Sequence, residues 1–88
     1  NVSIDDDLLQ QAKCGDIAAL DRLMILCRPD VRRYAARHCF LSDVDDAVQE
    51  ALLLMTRYLP SLRSPRAFVV WAFQIVRREC LRLAKRGK

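Results

Sequence analysis

The sequence is poor both in residues that break helices and in residues that commonly perform catalysis. Its 88 residues include two glycines, three prolines and one histidine. This composition, with many Leu, Ala and Arg residues, favours helices throughout the chain. A single histidine excludes a histidine metal cluster, and the sequence has no Ser–His–Asp grouping or glycine-rich phosphate loop. We therefore predict an all-α protein that is not an enzyme and that uses no metal ion or cofactor.

Long apolar runs are also absent. No stretch of about 18 apolar residues without charge occurs, so we predict no membrane insertion. The N-terminus has no signal-peptide pattern, and a cytoplasmic location is therefore expected. The chain begins at Asn1 rather than at a methionine, which suggests a piece of a longer protein.

The four cysteines, Cys14, Cys27, Cys39 and Cys80, form no C-x-x-C pair. An even number of cysteines is compatible with two disulfides or with a metal site. Because no secretory signal is present, free thiols in a reducing compartment are the preferred interpretation.

Charge divides unevenly along the chain. Residues 1–50 contain ten acidic and six basic residues, a net charge of −4, whereas residues 51–88 contain one acidic and nine basic residues, a net charge of +8. This division suggests two partner surfaces of opposite sign, the basic one suited to a polyanion. A chance bias of surface charge is the alternative interpretation.

Hydrophobic periodicity predicts a compact bundle of about four helices within a single domain, over residues 4–13, 16–39, 43–59 and 65–85. Ser3 is a candidate cap for the first helix, and Gly15 is its expected stop. Pro29 should kink or break the second helix into two segments. The expected buried seam of that helix consists of Ile17, Leu20, Met24, Cys27, Val31, Tyr34 and His38.

The last predicted helix has a basic stripe at helical spacing, formed by Gln74, Arg77, Arg78, Leu81, Arg82 and Lys85. Basic residues spaced in this way can follow the phosphates of a nucleic acid. Arg57, Arg63 and Arg66 extend the positive charge towards the preceding loop. An ordinary solvated helix face is the alternative. Phe68, Trp71 and Phe73 are expected to pack in the core.

The third predicted helix has an acidic row, formed by Asp46, Gln49, Glu50 and Leu53. A face that combines carboxylates, an amide and one apolar side chain is suited to a basic partner protein. Acidic residues in a first helical turn also stabilise the helix dipole, which is the alternative interpretation of the row.

The order of these segments resembles region 2 of bacterial sigma-70 family factors, of the extracytoplasmic-function type. The resemblance covers nearly the whole chain. Its most specific parts are D-x-x-Q-E at Asp46, Gln49 and Glu50, and Trp71 followed by Ile75 and Arg77.

The resemblance implies that the acidic row, including Leu53, docks on the clamp helices of the RNA polymerase β′ subunit. It also implies that the loop from Ser61 to Ala67 and the last helix recognise and melt the promoter −10 element on its non-template strand. The residues assigned to DNA in this way are Arg63, Ser64, Arg66, Arg77, Arg78, Arg82 and Lys85. An anti-sigma factor is a further partner that such factors frequently have.

The chain departs from the family pattern at two positions of the last helix. Arg78 stands where relatives usually have Asn, and Arg82 where they have Asp. The family's −35-reading domain is absent from the sequence, so one domain of a two-domain factor is expected, with residues 85–88 leading into the linker. Two alternatives remain open: a helical interaction module without direct DNA binding, and a redox or metal switch that uses the cysteines.

Overall fold

The protein is a bundle of four helices with no strand among the residues that are described. The computed structural model describes residues 4–86, so Ser3 and residues 87–88 lie outside it. The helices are α1 (Asp6–Lys13), α2 (Ile17–His38), α3 (Val44–Tyr58) and α4 (Phe68–Arg86). Short 3₁₀ turns lie in the connections, at Leu41–Asp43, Leu59–Ser61 and Pro65–Ala67. The predicted all-α bundle of four helices is confirmed.

Aspartates cap the N-termini of the first two helices. The Asp5 carboxylate accepts a hydrogen bond from the Leu8 backbone N–H at 2.7 Å, and Asp16 accepts one from Ala19 at 3.1 Å. Each bond satisfies an N–H group that has no partner within its helix. Asp5 therefore caps α1, the role that the sequence had suggested for Ser3. Gly15 has φ +98° between the two helices, a left-handed conformation that favours glycine.

Pro29 does not divide the second helix. The helix α2 continues from Ile17 to His38 with Pro29 inside it, which corrects the expectation of two segments. Proline removes the hydrogen bond to the carbonyl four residues earlier, here that of Ile25, and its ring crowds that carbonyl group. Pro29 and Ile25 are both exposed, so water can hydrate the freed carbonyl group.

The buried face of α2 differs from the expected seam. Ile17 is 79% exposed, and His38 is exposed at the other end of the helix. The side chains that enter the core recur every four residues, at Ala19, Leu23, Cys27, Val31 and Ala35. The alanines are buried because neighbouring helices approach α2 closely there, whereas periodicity in large apolar residues indicates a face centred elsewhere.

Buried side chains of α2, α3 and α4 form most of the core, and α3 contacts both of the other two helices. Four of its side chains are completely buried: Ala47, Val48, Ala51 and Met55. From α4, Phe68, Ala72, Val76 and Cys80 complete the same cluster. The face of α3 opposite its core side is consequently free to carry polar residues.

Two cysteines are joined, which corrects the prediction of free thiols throughout. Cys39 at the end of α2 and Cys80 in α4 form a disulfide, with their Cα atoms 4.7 Å apart. Cys14 is free and exposed, and Cys27 is free and buried. The spacing of 41 residues gave no indication of the pair, because only the packing of α2 on α4 brings the two thiols together.

No helix within residues 4–86 is long and apolar enough to cross a membrane.

Removing a core side chain of α2 should destabilise the protein far more than removing an exposed one. Leu23 is completely buried, whereas Ile25, two residues away, is 69% exposed. We expect Leu23→Ala to lower the free energy of unfolding by about 2–5 kcal/mol. Ile25→Ala should change it by less than about 0.5 kcal/mol. Chemical denaturation of both variants measures the difference, and equal losses would mean that the buried face of α2 is assigned wrongly.

Candidate functional site

The acidic row lies on one accessible face of α3. Asp46, Gln49 and Leu53 are exposed, and Glu50 is half-buried beside them. Leu53 is 59% exposed although it is a large apolar side chain. Leu53 thus places an apolar side chain beside the amide and carboxylate groups of the row.

The acidic row borders the C-terminal end of α4. Its four residues line a shallow groove of about 340 Å³ together with Arg82, Leu83 and Arg86. The start of α3 therefore lies next to the end of α4, and the two helices run antiparallel. The carboxylates of the acidic half and the guanidinium groups of the basic half consequently share one groove, although they are far apart in the sequence.

Arg82 is held towards this groove by a buried carboxylate. Its Nε and Nη2 atoms lie 2.8 and 2.7 Å from Oε1 of Glu79, which is 7% exposed. The hydrogen bond to Glu79 and then the charge of Glu79 raise the pKa of Arg82, and the charge of Glu50 adds to the effect. One basic residue of the stripe is thus already paired within the domain.

A second ion pair joins α2 to the start of α3. Arg32 donates a hydrogen bond to Oδ1 of Asp45, and both side chains are largely exposed. This hydrogen bond and the charge of Arg32 lower the pKa of Asp45. Asp45 is therefore engaged with α2, while the neighbouring Asp46 faces the groove.

The rest of the basic stripe is accessible. Arg77, Arg78, Leu81 and Lys85 are largely accessible, and Leu81 is 55% exposed. Arg78 lines a second groove between α3 and α4, of about 200 Å³, with Leu54, Tyr58, Ile75 and Glu79. Successive residues differ by about 100° around a helix, so Arg77 lies on the side of the stripe farther from α3. The stripe is therefore broad, with Arg78 and Arg82 along its α3 edge.

The loop before α4 is fixed at several points. Leu59 and Leu62 are buried, and Phe68 is buried where α4 begins. Ser64 accepts a hydrogen bond at Oγ from the Arg66 N–H, at 3.3 Å, and so caps the next turn. That turn is 3₁₀ at Pro65–Ala67 before the α-helix begins.

Short-range hydrogen bonds hold the loop backbone in a defined path, and two arginine side chains of the loop are exposed to solvent. The Ser61 hydroxyl donates to the carbonyl of Tyr58 at 2.6 Å, and the Leu62 N–H donates to the carbonyl of Leu59 at 3.0 Å. Arg63 and Arg66 are exposed on either side of Ser64. The loop therefore presents positive charge from an anchored backbone.

The aromatic residues of α4 follow the expected core packing only in part. Phe68 is 3% exposed, whereas Trp71 and Phe73 are half-buried. The Phe68 and Trp71 rings lie 5.9 Å apart, and Phe73 stacks on Tyr34 of α2 at 4.4 Å. Trp71 and Phe73 therefore keep part of their surface accessible beside the basic stripe.

Two features of this site were missed in the sequence. The pairing of Glu79 with Arg82 could have been found, because an acid and a base three residues apart lie next to each other on a helix. The place of Arg86 in the groove depends on the antiparallel packing of α3 and α4, which no local pattern reports. Within residues 4–86, no three His, Cys, Asp or Glu side chains cluster as metal ligands.

The sequence matches known proteins over most of its length. The family model for sigma-70 region 2 matches residues 23–88. The ECF RNA polymerase sigma-E factor of Escherichia coli (strain K12) is 32% identical over 71 residues, which cover 81% of this chain and 37% of that protein. The factors of the same name from Shigella flexneri and Salmonella typhimurium (strain LT2) are 32% and 31% identical, with the same coverage.

The chain spans little more than a third of the length of these relatives, so it corresponds to one part of such a factor. The matched region contains α3, α4, the loop between them and most of α2. All the residues of the acidic row and the basic stripe fall within it. The chain therefore belongs to the sigma-70 family, as a region 2 domain of the extracytoplasmic-function type found in transcription initiation factors.

Proposed function

We propose that this domain docks on the clamp helices of the RNA polymerase β′ subunit and binds the non-template strand of the promoter −10 element, in the cytoplasm. The acidic row makes the first contact, and the loop with the basic stripe makes the second. An anti-sigma factor that covers one of these surfaces would be a further partner. Binding energy alone drives both interactions, so the proposal requires no catalytic residue and no cofactor.

The observation that carries the proposal is the arrangement of the acidic row. Its polar and apolar side chains share one accessible face of α3, and the opposite face of that helix is completely buried. A helix held in this way presents its outer side chains with little loss of conformational freedom on binding. Gln49 and Leu53, four residues apart, give the face a hydrogen-bonding group next to an apolar one.

Two features support the proposed DNA surface: its positive charge and the fixed backbone of the loop that carries part of it. Arg63 and Arg66 project from a loop with a fixed backbone, and Arg77, Arg78 and Lys85 extend the positive charge along α4. Phosphate contacts of this kind supply affinity without base readout. The accessible parts of Trp71 and Phe73 are the surfaces on which unpaired bases could stack.

Arg82 stands at the boundary of the two surfaces. It belongs to the basic stripe by position, but Glu79 compensates its charge and orients it towards the acidic row. We therefore assign to Arg82 a smaller share of DNA binding than to Arg78, which forms no ion pair with any of residues 4–86. Arg82 instead shapes the groove beside Glu50.

Changing the acidic row should weaken docking. We expect Gln49→Ala with Glu50→Arg to reduce affinity for a β′ clamp-helix fragment at least tenfold, because a hydrogen-bonding amide is removed and a charge is reversed. Gln49→Ala with Leu53→Asp should have a similar effect and leaves the half-buried Glu50 in place. Calorimetry or interferometry measures the affinity of both variants for the clamp fragment.

The matched control for docking removes an amide and reverses an acidic charge elsewhere on the surface. Gln11→Ala with Asp21→Arg alters two exposed residues on α1 and α2. This variant should bind the clamp fragment like the unmodified chain. If the acidic-row variants remain folded by circular dichroism and bind normally, the row is not the docking surface.

Reversing charge on the basic stripe should weaken DNA binding. We expect Arg77→Glu with Arg78→Glu to reduce affinity for a −10 non-template oligonucleotide several-fold. The slope of log affinity against log salt should become shallower by about 0.7 for each phosphate that the variant no longer binds. Arg22→Glu with Arg28→Glu, on exposed positions of α2, is the charge-matched control. If the unmodified domain binds no DNA, the interaction module without direct DNA binding is the better description.

Substitutions at Arg82 and Arg78 should differ in their effects, the first acting mainly on stability and the second mainly on DNA binding. We expect Arg82→Gln to lower the midpoint of thermal unfolding more than Arg78→Gln does, because it leaves the buried Glu79 without its partner. The order should reverse for DNA affinity, with Arg78→Gln the more damaging change. Thermal melts and fluorescence anisotropy of the two variants test both orders, and identical behaviour in both assays would refute the distinction.

A further inference from the structure

A pair of cysteines joins the end of α2 to α4. Cys39 directly follows α2, and its backbone N–H donates to the carbonyl of Ala35 at 2.8 Å. Cys80 lies in α4, directly after Glu79. The disulfide between them therefore fixes the end of α2 to the turn of α4 that holds Arg82 at the groove.

The two thiols of this pair differ in access. Cys39 is half-buried at a helix end, and the residues that follow it, Phe40 and Leu41, are 61% and 89% exposed. Cys80 is 3% exposed within the core. A reagent in solution therefore reaches the Cys39 sulfur first, and Cys80 serves as its internal partner.

The other two cysteines do not compete for this bond. Cys27 is buried, its Sγ donates a hydrogen bond to the carbonyl of Met24, and burial raises its pKa to about 11. Its reactive thiolate form is therefore scarce at neutral pH. Cys14 is exposed and lies at the C-terminal end of α1. Among the four cysteines, the structure joins only Cys39 to Cys80.

We propose that Cys39 and Cys80 form a redox-reversible site, oxidised by a small-molecule or protein disulfide, whose oxidised form locks α4 onto α2. Reversibility rests on the proposed function, because a partner of RNA polymerase works in a compartment where thiols are kept reduced. Disulfides in such compartments are usually transient and redox-sensing rather than permanent.

The chemistry is two thiol–disulfide exchanges. The Cys39 thiolate attacks a sulfur of glutathione disulfide, which forms a mixed disulfide and releases one glutathione thiolate. The Cys80 thiolate then attacks the Cys39 sulfur, which forms the Cys39–Cys80 bond and releases the second glutathione thiolate. The protein loses two electrons, glutathione disulfide gains them, and the two cysteine protons pass through solvent to the two released thiolates.

The bond should matter for stability because it closes a long loop. The two residues are 41 apart, and a cross-link over such a distance restricts the unfolded chain strongly. For a domain of this size, we expect the midpoint of thermal unfolding to be at least about 10 °C higher in the oxidised form than in the reduced form.

The test is a redox titration of the whole chain in mixtures of reduced and oxidised glutathione, quenched by alkylation and read by mass spectrometry. The proposal expects one transition in which Cys39 and Cys80 change together, while Cys14 and Cys27 stay outside the bond. A pair that stays joined in excess reduced glutathione, or that never joins in oxidised glutathione, would overturn it.

Thermal melts with and without dithiothreitol supply the second readout. The unmodified chain and Cys14→Ala should both lose stability on reduction, whereas Cys39→Ala should melt at one temperature under both conditions. Equal melting temperatures of the oxidised and reduced unmodified chain would show that the disulfide does not hold α4 onto α2, and would refute the proposal. Neither readout involves polymerase or DNA, so these outcomes are independent of those that test the proposed function.

Discussion

The packing of α3 between α2 and α4 is the constraint on which the remaining features depend. Ala47 and Ala51 are completely buried, and their small side chains let the neighbouring backbones come close. Val48 and Met55 fill the adjoining space. Since these positions point inward and Leu52 and Leu54 beside them are partly buried, only the remaining side of α3 is accessible, and the acidic row lies there. The acidic row is therefore accessible as a direct consequence of core packing.

The same packing determines how charge is distributed in space. The sequence separates an acidic half from a basic half, which suggests two distant surfaces. Antiparallel packing of α3 and α4 instead brings Glu50 and Arg82 to one groove. The buried Glu79 compensates Arg82, whereas the other basic residues of α4 form no ion pair with any of residues 4–86. The two proposed surfaces therefore adjoin each other, and changes at Arg82 affect the boundary between them.

Short sequence patterns predicted the helices of this fold better than they predicted which helices contact each other. Gly15 acts at a helix end as expected, because such a stop depends on a few neighbouring residues. The acidic row was recognised from its motif, and its common face follows from helical periodicity alone. The disulfide was missed, and Ile17 was placed in the core wrongly, because both depend on which helices meet. Sequence periodicity finds an apolar face, but neighbouring helices decide which part of it is buried.

If the domain opens DNA as we propose, the anchored loop between α3 and α4 accounts for how binding alone could capture unpaired bases. Capture of an unpaired base requires a surface that is already formed, because ordering a flexible loop on binding would consume part of the binding energy. Leu59, Leu62 and Phe68 hold this loop to the core while Arg63 and Arg66 remain outside. The conformational entropy of the loop is therefore lost during folding rather than during binding. Phosphate attraction at those arginines can then act directly against the cost of unstacking the bases.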